Sequence, residues 1–313
     1  MSLAIIFNGQ GAHYQGMGQD FSKNFPESRR VYEQAEELTE IAIRQIINDE
    51  AKKLKETYYA QLAIVATSLA IYQAIEKELP AIDFMAGLSL GEYSALIANK
   101  NISFEEGFQL LKERGRLMAE HCQKLKESLD LSMEVVLSVP LEEVKQMIEI
   151  VNKEKEELFL ANINSSKQFV LAGTKDSIKR FKKLAKEKGY RKMMPLKVEG
   201  PFHSPYMKEL CGPYREILKD LSFDEGKHPI ISNTSAKIHR VNQIKEKLIR
   251  HLVEPVRWQE TIQYMIDSGV TKIIQIGPGK TLVNLLKDES KAPETLLIDQ
   301  VDDIYKIKNF IGG

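Results

Sequence analysis

Gly87-Leu88-Ser89-Leu90-Gly91 sets a serine between two glycines, directly after the apolar run Phe84-Met85-Ala86 and directly before a helical pattern from Glu92 to Ala98. This spacing is a G-x-S-x-G nucleophile elbow. A strand must turn sharply into a helix, and small residues at 87 and 91 let the two approach closely while the serine hydroxyl stands exposed above the helix N-terminus. A chain organised around such a turn is of α/β class. The five residues alone fit an ordinary glycine-rich turn as well, so their meaning depends on what the rest of the chain supplies.

Leu3 to Phe7 predicts a short buried strand that ends in the loop Asn8-Gly9-Gln10-Gly11-Ala12-His13. Loops after buried strands carry function in α/β proteins. Gly9 and Gly11 fit such a loop and a simple tight turn equally. Asp20 to Glu50 has helical spacing, and Ala60 to Leu79 predicts a strongly apolar helix packed on the core. Gln61, at its start, either faces the site or satisfies the helix end. Phe104 to Glu120 predicts a further helix carrying Arg114-Gly115-Arg116 among Leu110, Leu111, Leu117 and Met118. Both arginines fit a solvated face, but the apolar setting predicts that one guanidinium points inward.

From Met133 the pattern becomes strand (133–139), helix (141–151), strand (158–164), strand (168–173), helix (175–189) and strand (192–198). This β-α-β-β-α-β order is ferredoxin-like. The expected organisation is a discontinuous α/β-hydrolase-like catalytic domain with a parallel sheet, residues 1–130 and 197–313, carrying a ferredoxin-like subdomain at 131–196. Asn162, with Asn164 and Gln168, stands near the end of a strand of that insert, where it lines a cleft between domains or caps a turn. Lys182, Lys183, Lys186, Lys188, Arg191 and Lys192 form either a docking patch or a solvated helix face. Pro229 to Ser232 predicts a strand leading to Asn233, and Glu254 to Trp258 predicts the opening of a helix through Ile266. Lys272 to Ile276 predicts a buried strand before the turn Gly277-Pro278-Gly279-Lys280.

The chain's 44 basic and 44 acidic residues cancel, so no global field selects nucleic acid or an anionic membrane, and an anionic substrate must be held locally. Two cysteines without C-x-x-C spacing predict reduced thiols. The opening residues lack a basic leader, and no run of about 18 apolar residues stands out. The expectation is a cytoplasmic protein, active as a monomer.

A serine hydroxyl needs a base, and histidine, with an ordinary pKa of about 6.5, is the usual one. His203 has the most constrained setting of the six histidines, in Gly200-Pro201-Phe202-His203-Ser204-Pro205, and it follows Ser89 in the order serine-early, histidine-late. No Asp or Glu stands out as a third member, which leaves a main-chain carbonyl to orient His203. The Leu90 N–H is the natural first oxyanion donor, and Gln10, in the loop after the first strand, can supply a second.

Seven ordered motifs then agree: Phe7-Asn8-Gly9-Gln10-Gly11, Gly87-Leu88-Ser89-Leu90-Gly91-Glu92-Tyr93, Lys112-Glu113-Arg114-Gly115, Asn162 with Asn164 and Gln168, Gly200 to Ser204, Pro255-Val256-Arg257-Trp258, and Gly277 to Lys280. Together they resemble the malonyl-CoA:acyl-carrier-protein transacylase family over nearly the whole chain. The resemblance implies ping-pong transfer: malonyl-CoA acylates Ser89, and the phosphopantetheine thiol of an acyl carrier protein collects the malonyl group for fatty acid synthesis. It implies His203 as general base and acid, Gln10 and Leu90 N–H groups as oxyanion hole, and Arg114 as a bidentate clamp on the malonyl carboxylate. It implies no metal and no cofactor beyond the partner's phosphopantetheine. By the same resemblance, the carbonyl that orients His203 comes from the Pro255–Trp258 region or nearby, and Phe202 crowds out a 2-methyl branch. Alternatives are a loader of polyketide synthase carriers and a hydrolase on the same scaffold. The chain departs from the family at Asn8, where proline is common, at Ala12-His13, at Leu88, where many members have histidine, and in a glycine-free Ser128–Glu134.

Overall fold

The computed structural model describes residues 2–312. Among these, the strands are β1 (Leu3–Phe7), β2 (Phe84–Gly87), β3 (Leu131–Leu137), β4 (Leu158–Ser165), β5 (Gln168–Thr174), β6 (Met193–Leu196), β7 (Val256–Arg257), β8 (Lys272–Ile276) and β9 (Glu294–Ile298). They divide between two sheets.

The first has the order β2-β1-β8-β9 and is parallel throughout. Its central strands, β1 and β8, are buried at every residue. They read as nearly continuous apolar runs because a parallel sheet covered on both faces gives no polar side to alternate with. Parallel pairing also brings the C-terminal ends of the strands to one edge, so the 8–13 loop, the elbow and the 277–280 turn meet there. The Leu88 N–H donates to the Phe7 carbonyl at 3.1 Å. The Asn8 amide donates to the carbonyls of Pro278 (2.6 Å) and Gly279 (3.0 Å). Asn8 thus ties two of the three loops together.

The Thr57–Ile75 helix is buried around almost its whole circumference, which explains a sequence apolar on every face. Thr57–Glu78 is long and apolar enough to cross a membrane by length and composition alone. Its side chains are instead part of the main core, with Leu62, Ile64, Val65, Leu69 and Ile71 packed among residues such as Ile5 and Phe7 of β1.

The second sheet has the order β6-β3-β5-β4-β7. Its first four strands pair antiparallel, and β7 joins β4 in parallel. The Leu141–Val151 and Lys175–Glu187 helices connect β3 to β4 and β5 to β6, giving the strand-helix order expected from sequence. They bury Val144, Met147, Val151, Ile178, Phe181 and Ala185 against Leu158, Phe169 and Leu171, a core separate from that of the first sheet. The fifth strand comes from the C-terminal part of the chain, through the pairs Asn162↔Val256 and Ile163↔Arg257. The insert's sheet therefore runs on into the larger unit.

Three expectations need correction. Asp20–Glu50 is broken into the helices Gln19–Asn24, Pro26–Thr39 and Ile43–Asp49, because Pro26 can only start a helix and Glu40 ends one in the left-handed region. Residues 229–232 form no strand; isolated bridges join Ile230 to Met85 and Ile231 to Ile238, since the chain reverses at 232–236. Residues 254–257 do not open a helix: Val256–Arg257 pairs as β7 and the helix begins at Trp258. β9 went unpredicted.

Candidate active site

Ser89 lies between the end of β2 and the Gly91–Ala98 helix, at φ 53°. A non-glycine residue there is strained, and the surroundings hold it. Asn233 grips the main chain on both sides: its Oδ1 accepts from the Ser89 N–H and its Nδ2 donates to the Gly87 carbonyl, each at 2.7 Å. A Cβ on Gly91 would stand 2.2 Å from the Phe7 carbonyl oxygen, and one on Gly9 would stand 2.2 Å from the Leu88 carbonyl oxygen. The elbow and the first loop interlock at main-chain distance. That settles Gly9 as a close-approach residue.

Ser89 Oγ is 2.7 Å from His203 Nε2, and His203 Nδ1 is 2.7 Å from the His251 carbonyl oxygen. A carbonyl only accepts, so Nδ1 carries the proton and Nε2 is left to accept from the serine hydroxyl. This is the arrangement expected from sequence. The orienting carbonyl belongs to His251, in the turn after the Ile244–Arg250 helix and just before the 255–258 segment, whose own main chain is committed to β7 and a new helix. The His251 ring also stacks on His203, with centroids 4.8 Å apart. Burial pulls the His203 pKa down to about 4; the hydrogen bond to His251 opposes this, and the nearby Arg114 charge adds to it. The ring is therefore neutral and ready to accept a proton at neutral pH.

Arg114 points inward and Arg116 outward. Arg116 pairs with Glu113 and Glu120 on the surface. Arg114 is 3% exposed, donates to Gln61 Oε1, and lies 4.9 Å over the Tyr93 ring. Among the described residues no carboxylate forms an ion pair with it. Gln61 thus faces the site and is not a helix-end amide. The first N–H groups of a helix lack internal acceptors. Among the described residues the Leu90 N–H, at the N-cap of the Gly91–Ala98 helix, and the Gln10 N–H are both free of acceptors, while the Gln10 side chain is held by Thr57 Oγ1 at 3.0 Å. Phe202 is buried in the main core. Asn162 lies inside β4 opposite Val256, and no hydrogen bond joins it to Ser89, His203 or Arg114 among the described residues. Asn164, with Gln168, makes a local bond of 2.9 Å.

Lys182 pairs with the buried Glu134 and Lys188 with Glu143, each at 2.6 Å. Two of the six basic residues of that cluster are thereby tied to carboxylates of the same subdomain. Reading the sequence missed Asn233, Glu92, His239 and His251. Each is an ordinary polar residue in sequence, and only burial beside the elbow distinguishes it.

The model of the acyl transferase domain matches residues 4–304. The chain belongs to the acyl transferase family, and within it to the malonyl-CoA:acyl-carrier-protein transacylases. It is 36% identical to the malonyl CoA-acyl carrier protein transacylase of Bacillus subtilis over 304 residues, covering 96% of this chain and 95% of that protein. Among solved structures of the family, the enzyme of Streptococcus pneumoniae superposes with a TM-score of 0.92 at 33% identity, over 98% of this chain and 99% of the other. A malonyl-transacylase solved in complex with its type II PKS acyl-carrier protein superposes equally well, at 27% identity over the full length of both chains.

Proposed function

We propose that this chain transfers a malonyl group from malonyl-CoA to the phosphopantetheine thiol of an acyl carrier protein through a malonyl-Ser89 intermediate, supplying fatty acid elongation. The observation that carries the reading is the hydrogen-bonded line Ser89–His203–His251 carbonyl beside a buried arginine that has no anionic partner among the described residues. Burying a cation without a counter-ion is costly, and a substrate carboxylate removes that cost. Neutral acyl groups, the substrates of a general hydrolase, do not.

In the first half-reaction Ser89 Oγ attacks the thioester carbon as its proton passes to His203 Nε2. The developing oxyanion takes the free N–H groups of Leu90 and Gln10. The intermediate collapses, the carbon–sulfur bond breaks, and the coenzyme A thiolate takes the proton from His203. The second half-reaction runs the same steps with the carrier thiol as nucleophile and Ser89 Oγ as leaving group. Arg114, steadied by Gln61, holds the malonyl carboxylate, which also offsets the positive charge that weakens His203 as a base. Phe202 selects the unbranched acyl group, so methylmalonyl-CoA should acylate Ser89 much more slowly than malonyl-CoA; equal rates would remove that role. Asn162 is assigned to the substrate cleft on its place in β4 beside β7.

The reaction uses side chains and main-chain N–H groups, and the pantetheine arm arrives on the partner. The two free cysteines, one buried, support a cytoplasmic setting, and a site assembled from a single chain supports a working monomer. The strand order β6-β3-β5-β4 with two crossover helices supports reading 131–196 as a ferredoxin-like subdomain. The elbow at the end of a parallel strand supports an α/β-hydrolase-like domain over 1–130 and 197–313.

Intact-protein mass spectrometry after mixing with malonyl-CoA or acetyl-CoA tests the proposal. Wild type should gain a malonyl adduct, Ser89→Ala none, and Arg114→Ala should lose its preference for malonyl over acetyl. A wild type that stays unmodified, and releases neither coenzyme A nor malonate, would overturn it.

A further inference from the structure

We infer that Glu92 is a positioning residue for this transfer, a single buried carboxylate that anchors the clamp on the nucleophile and stands against the residue that orients the base. The inference rests on the reading of Ser89 and His203 given above. Glu92 is three residues beyond Ser89, in the first turn of the helix, and is 1% exposed. A glutamate in a first turn gains from the helix dipole even at the surface, so the dipole gives no reason to bury it.

Its contacts give one. Oε1 accepts from His239 Nε2 at 2.6 Å and from the Asn233 main-chain N–H at 3.3 Å. Asn233 is the residue whose amide grips Ser89 N–H and Gly87 carbonyl. Oε2 lies 3.3 Å from His251 Nδ1, outside hydrogen-bond geometry, and His251 supplies both the carbonyl and the stacked ring that set His203. One oxygen therefore serves the nucleophile's arm and the other faces the base's arm. His239 is 3% exposed at its side chain and His251 1%. The charges that act on this cluster are Arg114, from the 104–128 helix, and Lys247, from the 244–250 helix, while the Tyr93 and Tyr214 hydroxyls complete its titratable surroundings. Burying a carboxylate is costly and calls for a reason, and holding the Asn233 clamp in place supplies one.

The test measures the rate at which phenylmethanesulfonyl fluoride labels Ser89, alongside single-turnover acylation by malonyl-CoA, in wild type, Glu92→Gln, His239→Ala and His239→Gln. Glu92→Gln keeps volume but removes the negative charge that strengthens the bonds from His239 and Asn233, and it puts an amide nitrogen where one carboxylate oxygen stood. It should slow labelling and acylation about tenfold, with KM for malonyl-CoA within about twofold of wild type. His239→Ala should do the same, and His239→Gln, whose amide N–H reaches the same oxygen, should recover most of the rate. If His239→Ala does not fold, Glu92→Gln decides. Labelling of folded Glu92→Gln at the wild-type rate would overturn the inference, as would a loss confined to thermal stability. Slowed labelling in the variants, in a protein that malonyl-CoA does not acylate, would keep the inference and overturn the malonyl reading instead.

Discussion

Ser89 is held in a left-handed backbone conformation chiefly by Asn233, and a residue-scale prediction follows from that. Asn233→Ala removes two buried hydrogen bonds and leaves a buried N–H and carbonyl unpaired, at about 1–3 kcal/mol each. The acylation rate should fall by about 100-fold or more with little change in substrate KM, and a stopped-flow burst of coenzyme A release measures it. Full activity in a folded Asn233→Ala protein would show that the elbow holds its own strain. Gln61→Leu tests the other side of the pocket. With its oxygen gone, Arg114 loses a hydrogen-bond partner inside the protein, and KM for malonyl-CoA should rise about tenfold while acylation by acetyl-CoA changes little. An unchanged KM would remove Gln61 from substrate binding.

Between elements, the decisive contact is the one that presses the elbow onto β1. The Gly91–Ala98 helix starts so close to Phe7 that a Cβ at 91 would overlap a main-chain oxygen, and main chain inside a fully buried strand has nowhere to move. Gly91→Ala should therefore either fail to accumulate as folded protein or melt about 2–5 °C lower, following the overpacking cost of about 1–3 kcal/mol. Circular dichroism on heating checks this, and a melting point equal to wild type would mean that the helix can slide. The Asn8 bonds to Pro278 and Gly279 are a gentler case of the same coupling between loops.

For the whole molecule, buried histidines tie folding to pH. His203 is drawn down to about 4 and His251 well below its ordinary value, both chiefly by burial. Between pH 4 and 6.5 the unfolded chain therefore binds protons that the native state refuses, and stability must rise with pH across that window. His203 alone contributes about 2 kcal/mol between pH 5 and 7.5, at about 1.4 kcal/mol per pKa unit. Urea unfolding at those two pH values should show it, with a smaller pH difference in His203→Gln. An equal difference in the variant would place the titrating groups elsewhere. Transfer activity should stay level down to about pH 5 on the side governed by this base.

The elbow, the first-loop glycines, the strands β1 and β8, and the β-α-β-β-α-β run were all legible in sequence, because each depends on local spacing and on what a residue type permits in its own backbone. Ser89, His203 and Arg114 were legible for a related reason: each is a chemically demanding residue in a setting that needs explanation. The sequence by itself thus determined the class of fold and the kind of chemistry. Which carbonyl orients His203, what grips the elbow, how the 229–236 segment runs, and why Glu92 is buried were decided only by tertiary structure. Asn233 and His251 act from about 140 to 160 positions beyond Ser89, separations of 144 for the Asn233 clamp and 48 between His203 and His251. Local sequence constrains neighbours along the chain; contacts at such separations exist only once both sheets have packed and the loops at their ends have met.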